Sequence, residues 1–169
     1  CPFSGRVLAS EPERGDVVVF RHLTAGTDYI KRLIGLPGDK IQMKDGVLYI
    51  NGTAAPQEPA GAYEEPKEEQ GPMRNVPSCE NDPVGLGGVC SKSRFVETLP
   101  EGKSHNILNI RANGAGDNTP VFTVPEGHYF FMGDNRDNSQ DSRFALTASG
   151  VGFLPAEYLI GRADRIIFS

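Results

Sequence analysis

Short apolar segments separated by turn residues dominate the first part of the chain, and they restrict its fold more than any other feature. The segments RGDVVVFRH (14–22), TDYIKRLIG (27–35) and DKIQMKDGVLYINGT (39–53) combine β-branched or alternating apolar residues with flanking turn residues. Pro37-Gly38 suits a type II turn, and Asp45-Gly46 is typical of a tight hairpin turn. These features predict an antiparallel meander of short strands. The 20 Gly and 13 Pro among 169 residues extend the prediction to an all-β chain with little helix.

The composition changes in the middle of the chain. Residues 54–72, AAPQEPAGAYEEPKEEQGP, are rich in Pro and Glu without apolar periodicity, which predicts a solvated loop or linker. Further on, SRFVETL (93–99) and SHNILNIRA (104–112) predict strands. We therefore expect two lobes, a β domain made of residues 1–53 and 121–169 and an inserted second β subdomain made of residues 54–120.

Charge and hydropathy exclude some classes of partner. The net charge is −5 and the basic residues are scattered, so no nucleic-acid partner is predicted. No apolar run approaches the roughly 18 residues that a membrane-spanning helix needs. The sequence opens at CPFSG without an initiator Met, so we expect it to be a fragment of a longer protein.

The three cysteines and three histidines bear on disulfides and metals. Cys79 and Cys90 bracket the flexible segment ENDPVGLGGV, and a disulfide is favoured slightly over two free buried thiols. A disulfide would indicate a secreted or periplasmic protein. Cys1 is either a free thiol or a residue left by cloning. The histidines lie far apart and no metal-binding spacing occurs, so neither a metal site nor a cofactor is predicted.

The densest polar stretch is GDNRDNSQDSR (133–143), which follows a buried strand ending in YFFM. Its Asp and Asn side chains can lock successive turns, so one interpretation is a rigid loop that caps the strand. A calcium-binding loop is disfavoured. Aligning Asp134 with the first ligand would place Arg136 where an oxygen ligand is needed, and Ser139 where glycine is needed.

Lys31 and Arg32 are two cations inside an otherwise apolar strand. Lys31 shares a face with Tyr29 and Leu33, and Arg32 lies on the opposite face. In the ordinary interpretation both side chains extend along apolar surface and hold their charges in water. The alternative is that Lys31 is buried and acts as a general base, which requires its pKa to fall from about 10.4 to about 7–8. Such a lysine also needs a hydroxyl partner and a serine to deprotonate.

Three motifs decide between these interpretations. RGDVVVF, DYIKRLIGLPGDKI and GDNRDNSQDSR, in this order, resemble the motifs of bacterial type I signal peptidases. The resemblance implies an all-β, two-domain serine endopeptidase with a Ser–Lys dyad. It also implies that N-terminal transmembrane segments anchor the protein in the bacterial inner membrane, with the catalytic domain on the periplasmic side and its surface as a further membrane contact. The implied substrates are the signal peptides of exported preproteins, cut after small residues at −1 and −3.

The resemblance also implies roles for individual residues. Lys31, the lysine of YIKR, corresponds to the general base, and Ser139 corresponds to the serine whose hydroxyl orients it. Asp141 and Arg143 match a charge-assisted pair that stabilises the site. The other site-supporting residues of the same motif are Asp134, Asn135 and Arg136.

The substrate and the nucleophile are the remaining parts of the implied site. Asp28, Tyr29 and Ile30 lie on the strand beside which the substrate backbone is expected to bind, and Ile30 should help line the pockets for small side chains. The family's nucleophile lies in a Ser-Met-x-Pro motif upstream of RGDVVVF, and no such motif occurs here. Ser4 and Ser10 lack this context, and neither is assigned. We therefore expect the nucleophile to precede Cys1 and these 169 residues to be inactive alone.

Two other interpretations stay open. The chain could belong to a related Ser–Lys peptidase, such as a conjugation-pilin maturation peptidase or a self-cleaving SOS-type repressor. The repressor is disfavoured because no helix-turn-helix pattern or basic patch is present. The chain could also be a peptide-binding module that naturally lacks a nucleophile. An upstream transmembrane helix followed by Ser-Met-x-Pro would support the enzyme.

Overall fold

The computed structural model describes residues 11–70, 74–111, 113–148 and 150–163, and within these ranges it contains β-strands and no α-helix. The strands are Val17–Arg21 (β1), Asp28–Gly35 (β2), Lys40–Lys44 (β3), Val47–Ile50 (β4), Thr53–Ala54 (β5), Gln57–Pro66 (β6), Val89–Thr98 (β7), Ser104–Asn109 (β8), Phe122–Thr123 (β9), His128–Met132 (β10), Leu154–Pro155 (β11) and Leu159–Arg162 (β12). Short 3₁₀ helices occupy Arg136–Asn138, Leu146–Ala148 and Ala156–Tyr158. None of the helices in these ranges is long and apolar enough to span a membrane. The prediction of an all-β chain is confirmed.

The strands form three antiparallel sheets. The strand orders are β11-β10-β2-β1-β12, β5-β4-β3-β9 and β6-β7-β8. In the first sheet, β2 is central and pairs with β1 along one edge and with β10 along the other. The third sheet contains the strands predicted over residues 93–99 and 104–112 and lies within the predicted insertion. The division of the chain into two domains stays a prediction.

The prediction of a single meander over the first strands is wrong. β2 and β3 belong to different sheets, and β10 lies beside the second half of β2. The turn at residues 36–39 lies between β2 and β3. Gly38 has a φ of 89° in this turn, and the Asp39 carboxylate accepts a hydrogen bond from the Leu36 N–H over 2.8 Å. The Gly38 N–H then donates to the carbonyl of Val124, just after β9, and β9 pairs with β3.

Two hydrophobic clusters lie on opposite faces of β2. Leu33 packs with side chains of β1 and β10, whereas Ile34 packs with side chains of β3, β4 and β10. A strand that is covered on both faces buries successive residues. Lys31 and Arg32, which directly precede this pair, are only 9% and 5% exposed. The interpretation in which both cations extend into water is therefore wrong.

The prediction of a solvated loop over residues 54–72 is wrong in its central part. Gln57–Pro66 forms β6, which pairs antiparallel with β7. This strand lies at the edge of its sheet and none of its residues is fully buried, so no apolar periodicity marks it. Proline is tolerated in such a strand because one edge needs no paired N–H groups. The register also shifts between Pro59 and Ala62.

Cys79 and Cys90 form the predicted disulfide, with their Cα atoms 5.2 Å apart. Both residues are buried, and the bond ties the segment that precedes β7 to the strand itself. Cys1 lies outside the described residues.

Removing this disulfide should lower the free energy of unfolding, because the bond restricts the unfolded chain. For a sequence separation of 11 residues, the chain-entropy model predicts a loss of about 3 kcal/mol. Urea denaturation of the wild type and of the Cys79→Ser/Cys90→Ser variant measures the difference. Cys1→Ser is the matched control for loss of a thiol that is not in the bond. An unchanged denaturation midpoint in the double variant would contradict the prediction.

Candidate active site

Lys31 and Ser139 meet in the protein interior although 108 positions separate them in the sequence. The Lys31 Nζ donates a hydrogen bond to the Ser139 Oγ over 3.0 Å, and both residues are buried. Lys31 lies in the middle of β2, and Ser139 follows the 3₁₀ helix Arg136–Asn138 in an extended conformation. The predicted burial of the lysine and its predicted contact with the serine are both present.

The surroundings of Lys31 lower its pKa below the ordinary value of a lysine. Burial is the main cause. The charge of Asp141 raises the pKa, that of Arg143 lowers it further, and that of Asp134 raises it. Ser139 offers a neutral hydroxyl, which does not compensate a buried ammonium as a carboxylate would. The neutral amine, the form that can accept a proton, is therefore more accessible than it is for a lysine in water.

Asp141 and Arg143 form a two-pronged ion pair inside the loop 133–143. The Arg143 Nε and Nη2 donate to the two carboxylate oxygens of Asp141, each over 2.9 Å, and the Gly133 N–H donates to the same carboxylate over 3.0 Å. Burial by itself raises the pKa of Asp141, but the charge and hydrogen bonds of Arg143 hold it below its usual range. This ionised pair, together with the Gly133 N–H, joins the two ends of the loop that contains Ser139.

Arg32, next to Lys31 on β2, attaches the beginning of the same loop. Its Nε and Nη2 donate to the two oxygens of Asp134 at 2.9 and 2.7 Å, and its Nη1 donates to the Gly15 carbonyl at 2.7 Å. Because neighbouring strand residues point to opposite faces, the loop contacts both faces of β2. Sequence reasoning assigned no role to Arg32, although a cation in a buried strand needs a partner of opposite charge.

The other predicted supporting residues connect the loop to the β6–β8 sheet. The Arg136 Nη1 and Nη2 donate to the carboxylate of Glu97 on β7 at 3.0 and 2.7 Å. Asn135 forms a parallel backbone bridge with Leu108 of β8, and the carboxylate of Asp137 accepts backbone N–H groups just beyond that strand. Sequence reasoning missed Glu97 and Asp137. No local signal marks Glu97, because its partner is 39 positions away.

The first half of β2 has an open edge beside Lys31. β1 pairs with β2 from Asp28 to Arg32, whereas β10 pairs with β2 only from Arg32 onwards. No other strand in the described ranges covers the β10 side of Asp28–Lys31. Asp28 is exposed, and Tyr29 and Ile30 are half-buried. An extended peptide added to this edge would form main-chain hydrogen bonds and would reach the lysine.

Among the described residues, neither a second serine bonded to Lys31 nor a metal-binding cluster of His, Cys, Asp or Glu is found. The nearby Ser142 Oγ accepts a hydrogen bond from the Phe131 N–H instead. Ser4 and Ser10 lie outside the described residues. What the described part of the chain contains is a buried lysine, the hydroxyl partner of that lysine, and a loop held by ion pairs.

Several known proteins are similar to this chain. The family model described as "Signal peptidase, peptidase S26" matches residues 5–168. Signal peptidase I of Rickettsia typhi is 45% identical and that of Rickettsia prowazekii 43% identical, each over 99% of this chain. The chain spans 56% of the length of each of these relatives. A signal peptidase I from Enterococcus faecalis V583, known from its crystal structure, is 28% identical over 91% of this chain and 97% of that chain, with a TM-score of 0.47. The family match over almost the whole sequence, together with the identities to the Rickettsia proteins, shows that the chain belongs to the signal peptidase family, peptidase S26.

Proposed function

We propose that this chain is the catalytic region of a signal peptidase I, a serine endopeptidase in which Lys31 is the general base of a Ser–Lys dyad. The observation that carries the proposal is the hydrogen bond between buried Lys31 and Ser139 beside an open strand edge. A lysine with a lowered pKa is neutral, and so able to take a proton from a serine, at a lower pH than an ordinary lysine. The 169 residues contain no Ser-Met-x-Pro sequence, so the nucleophile is proposed to lie in another segment of the longer protein.

The proposed reaction proceeds through an acyl-enzyme. The Lys31 Nζ takes the proton of the serine hydroxyl while the serine oxygen attacks the scissile carbonyl, and it returns that proton to the leaving amine. In the second half, the lysine takes a proton from water, the water oxygen attacks the ester, and the serine oxygen leaves with the proton. Ser139 orients the amine, and the Asp141–Arg143 pair holds the loop that carries Ser139.

The proposed substrate is the extended end of a signal peptide of an exported preprotein. Its backbone would pair with Asp28–Ile30, and cleavage would follow small residues at −1 and −3. Alternate side chains of an extended peptide point to the same side, so these two positions would enter neighbouring pockets that Ile30 helps to line. The half-buried state of Tyr29 and Ile30 at an open edge supports this placement.

The proposed location is the periplasmic side of the bacterial inner membrane. A transmembrane segment of the longer protein would anchor it, and the surface of the β domain would be a further membrane contact. The disulfide between Cys79 and Cys90 supports an oxidising compartment. A pilin-maturation peptidase and a peptide-binding module without a nucleophile are the alternatives that the experiments below distinguish.

Cleavage of a preprotein in detergent should require both the upstream segment and Lys31. We expect cleavage after a small-x-small sequence by the longer protein with Ser-Met-x-Pro, and none by the 169-residue chain. Lys31→Ala in the longer protein should reduce cleavage by about 10²–10⁴-fold or more, because an unassisted serine hydroxyl is a poor nucleophile. Lys40→Ala is the matched control, since Lys40 is also on a strand but is exposed.

Each alternative predicts a different result in this assay. Cleavage by the 169-residue chain alone would place the nucleophile within it. Full activity in the Lys31→Ala variant would rule out the dyad. Binding of a signal peptide without cleavage by the longer protein would favour a peptide-binding module, and cleavage of pilin precursors alone would favour the pilin peptidase.

The pH dependence of cleavage should report the titration of Lys31. The base must be neutral, so kcat/KM should rise with pH through the pKa of Lys31 and level off above it. Because burial lowers this pKa, the rise should be centred below the ordinary lysine value of 10.5. Measuring kcat/KM from acidic to alkaline pH locates the midpoint. A rise centred at or above the ordinary value would contradict a buried base.

Lys31 should also make the stability of the chain depend on pH. Its folded pKa is lowered, so the unfolded chain binds one more proton between that pKa and the ordinary value of 10.5. Stability should therefore rise with pH across this interval, by up to about 1.4 kcal/mol per unit. Lys31→Met should be more stable than the wild type below the interval, and the advantage should shrink as the pH approaches 10.5. Urea denaturation at several pH values tests this, with Lys40→Met as control, and a difference independent of pH would contradict it.

A further inference from the structure

Glu97 is a buried carboxylate that the proposed reaction does not use. It is the second-last residue of β7 and has no exposed surface. It belongs to the β6–β8 sheet, whereas Lys31 belongs to the five-stranded sheet. Its oxygens accept hydrogen bonds from the Arg136 Nη1 and Nη2, and the Nε2 of His105 on the adjacent β8 lies 3.0 Å from its Oε1. Glu97 therefore joins the β6–β8 sheet to the loop 133–143.

Joining two parts of a fold through a buried carboxylate costs hydration free energy. Each buried ion loses several kcal/mol of hydration, and an apolar pair of similar volume is often equally stable or more stable. A bidentate contact between guanidinium and carboxylate instead fixes a distance and an orientation. Burial alone raises the pKa of Glu97, but the charge of Arg136 and the contact with His105 lower it to about 2, so the contact is ionic throughout the neutral range.

Arg136 is hydrogen-bonded within the loop 133–143, so its fixed position also restricts the residues around Lys31. Its Nε donates to the Gly133 carbonyl over 3.1 Å, and its own carbonyl accepts a hydrogen bond from the Arg143 Nη2 over 2.7 Å. Arg136 also begins the 3₁₀ helix that Ser139 directly follows. A displacement of Arg136 would therefore move Ser139 and the Asp141–Arg143 pair together.

We propose that Glu97 is a positioning residue for the Lys31–Ser139 pair, acting from the β6–β8 sheet by holding Arg136. The proposal rests on the proposed function and assigns this sheet a part in the reaction. The groups that lower the pKa of Glu97 are Arg136 and His105. Those that act on Lys31 are Asp141, Arg143 and Asp134. Glu97 is not among the groups that act on Lys31, and it is not hydrogen-bonded to Lys31. Its effect on Lys31 would therefore pass through the loop 133–143.

Glu97→Gln in the full-length protein tests the proposal, because it removes the charge and keeps the shape. A loosened loop should let water reach Lys31, so the Lys31 titration should move to higher pH, by about 0.5 unit or more. The titration is followed by NMR of ¹³C-labelled lysine, and a Lys31→Arg variant assigns the signal. We also expect kcat to fall by about tenfold or more, with the acid limb of kcat/KM moving in the same direction as the NMR titration.

Glu65→Gln is the matched control. It removes the charge of Glu65, whose Oε1 accepts a hydrogen bond from the buried Lys92 over 3.1 Å. Both residues belong to the same sheet as Glu97, and among the described residues no hydrogen bond or ion pair joins them to the loop. This variant should lose stability and leave both kcat and the Lys31 titration unchanged. If Glu97→Gln does not fold, Glu97→Asp retains the charge and retracts the carboxylate by one methylene. It should move the titration in the same direction by less.

The two readouts separate failure of this proposal from failure of the proposed function. In a folded Glu97 variant, an unchanged Lys31 titration would show a purely structural role and overturn the proposal. A titration moved to lower pH would show a long-range effect of the uncompensated Arg136 charge and would also overturn it. If the wild-type protein does not cleave preproteins, the proposed function fails, whereas the NMR titration still decides whether Glu97 positions Lys31.

Discussion

The burial of Lys31 in a strand covered on both faces is the constraint on which the site depends. An ammonium in this position loses its hydration, and its hydrogen-bond partner is the neutral hydroxyl of Ser139. The nearby carboxylates Asp141 and Asp134 are each already paired with an arginine. The charges of Asp141 and Asp134 raise the pKa of Lys31, but burial outweighs them and the pKa is lowered.

The rest of the site keeps the loop 133–143 in one conformation. Three arginines do this from three directions: Arg32 binds Asp134 from β2, Arg143 binds Asp141 within the loop, and Arg136 binds Glu97 on β7. Each pair is almost completely buried, so each costs hydration free energy. In return each holds a fixed geometry around Ser139, whose Oγ lies 3.0 Å from the Lys31 Nζ. The polar loop is thus ordered by its charges rather than by an apolar core.

The same strand connects the lysine to the edge at which the substrate peptide is proposed to bind. β10 ends at Met132, where the polar loop begins, and no other strand among the described residues pairs with the first half of β2 on that side. Ending one strand early therefore has two effects. It frees an edge at Asp28–Lys31, and it provides the chain that returns with Ser139 to the lysine. The open edge and the hydroxyl partner are products of a single feature of the sheet.

The sequence by itself determined the local features of this protein. The turns at Pro37-Gly38 and Asp45-Gly46, the strands around them and the all-β character follow from residue types at adjacent positions. The pairing of Lys31 with Ser139 was predicted because the resemblance linked two distant motifs. Only the tertiary structure decided which strands share a sheet, that Gln57–Pro66 is an edge strand, and that Arg136 binds Glu97. The physical reason is that strand pairing and buried ion pairs join residues far apart in the chain, and no local pattern records which distant partner satisfies a backbone edge or a buried charge.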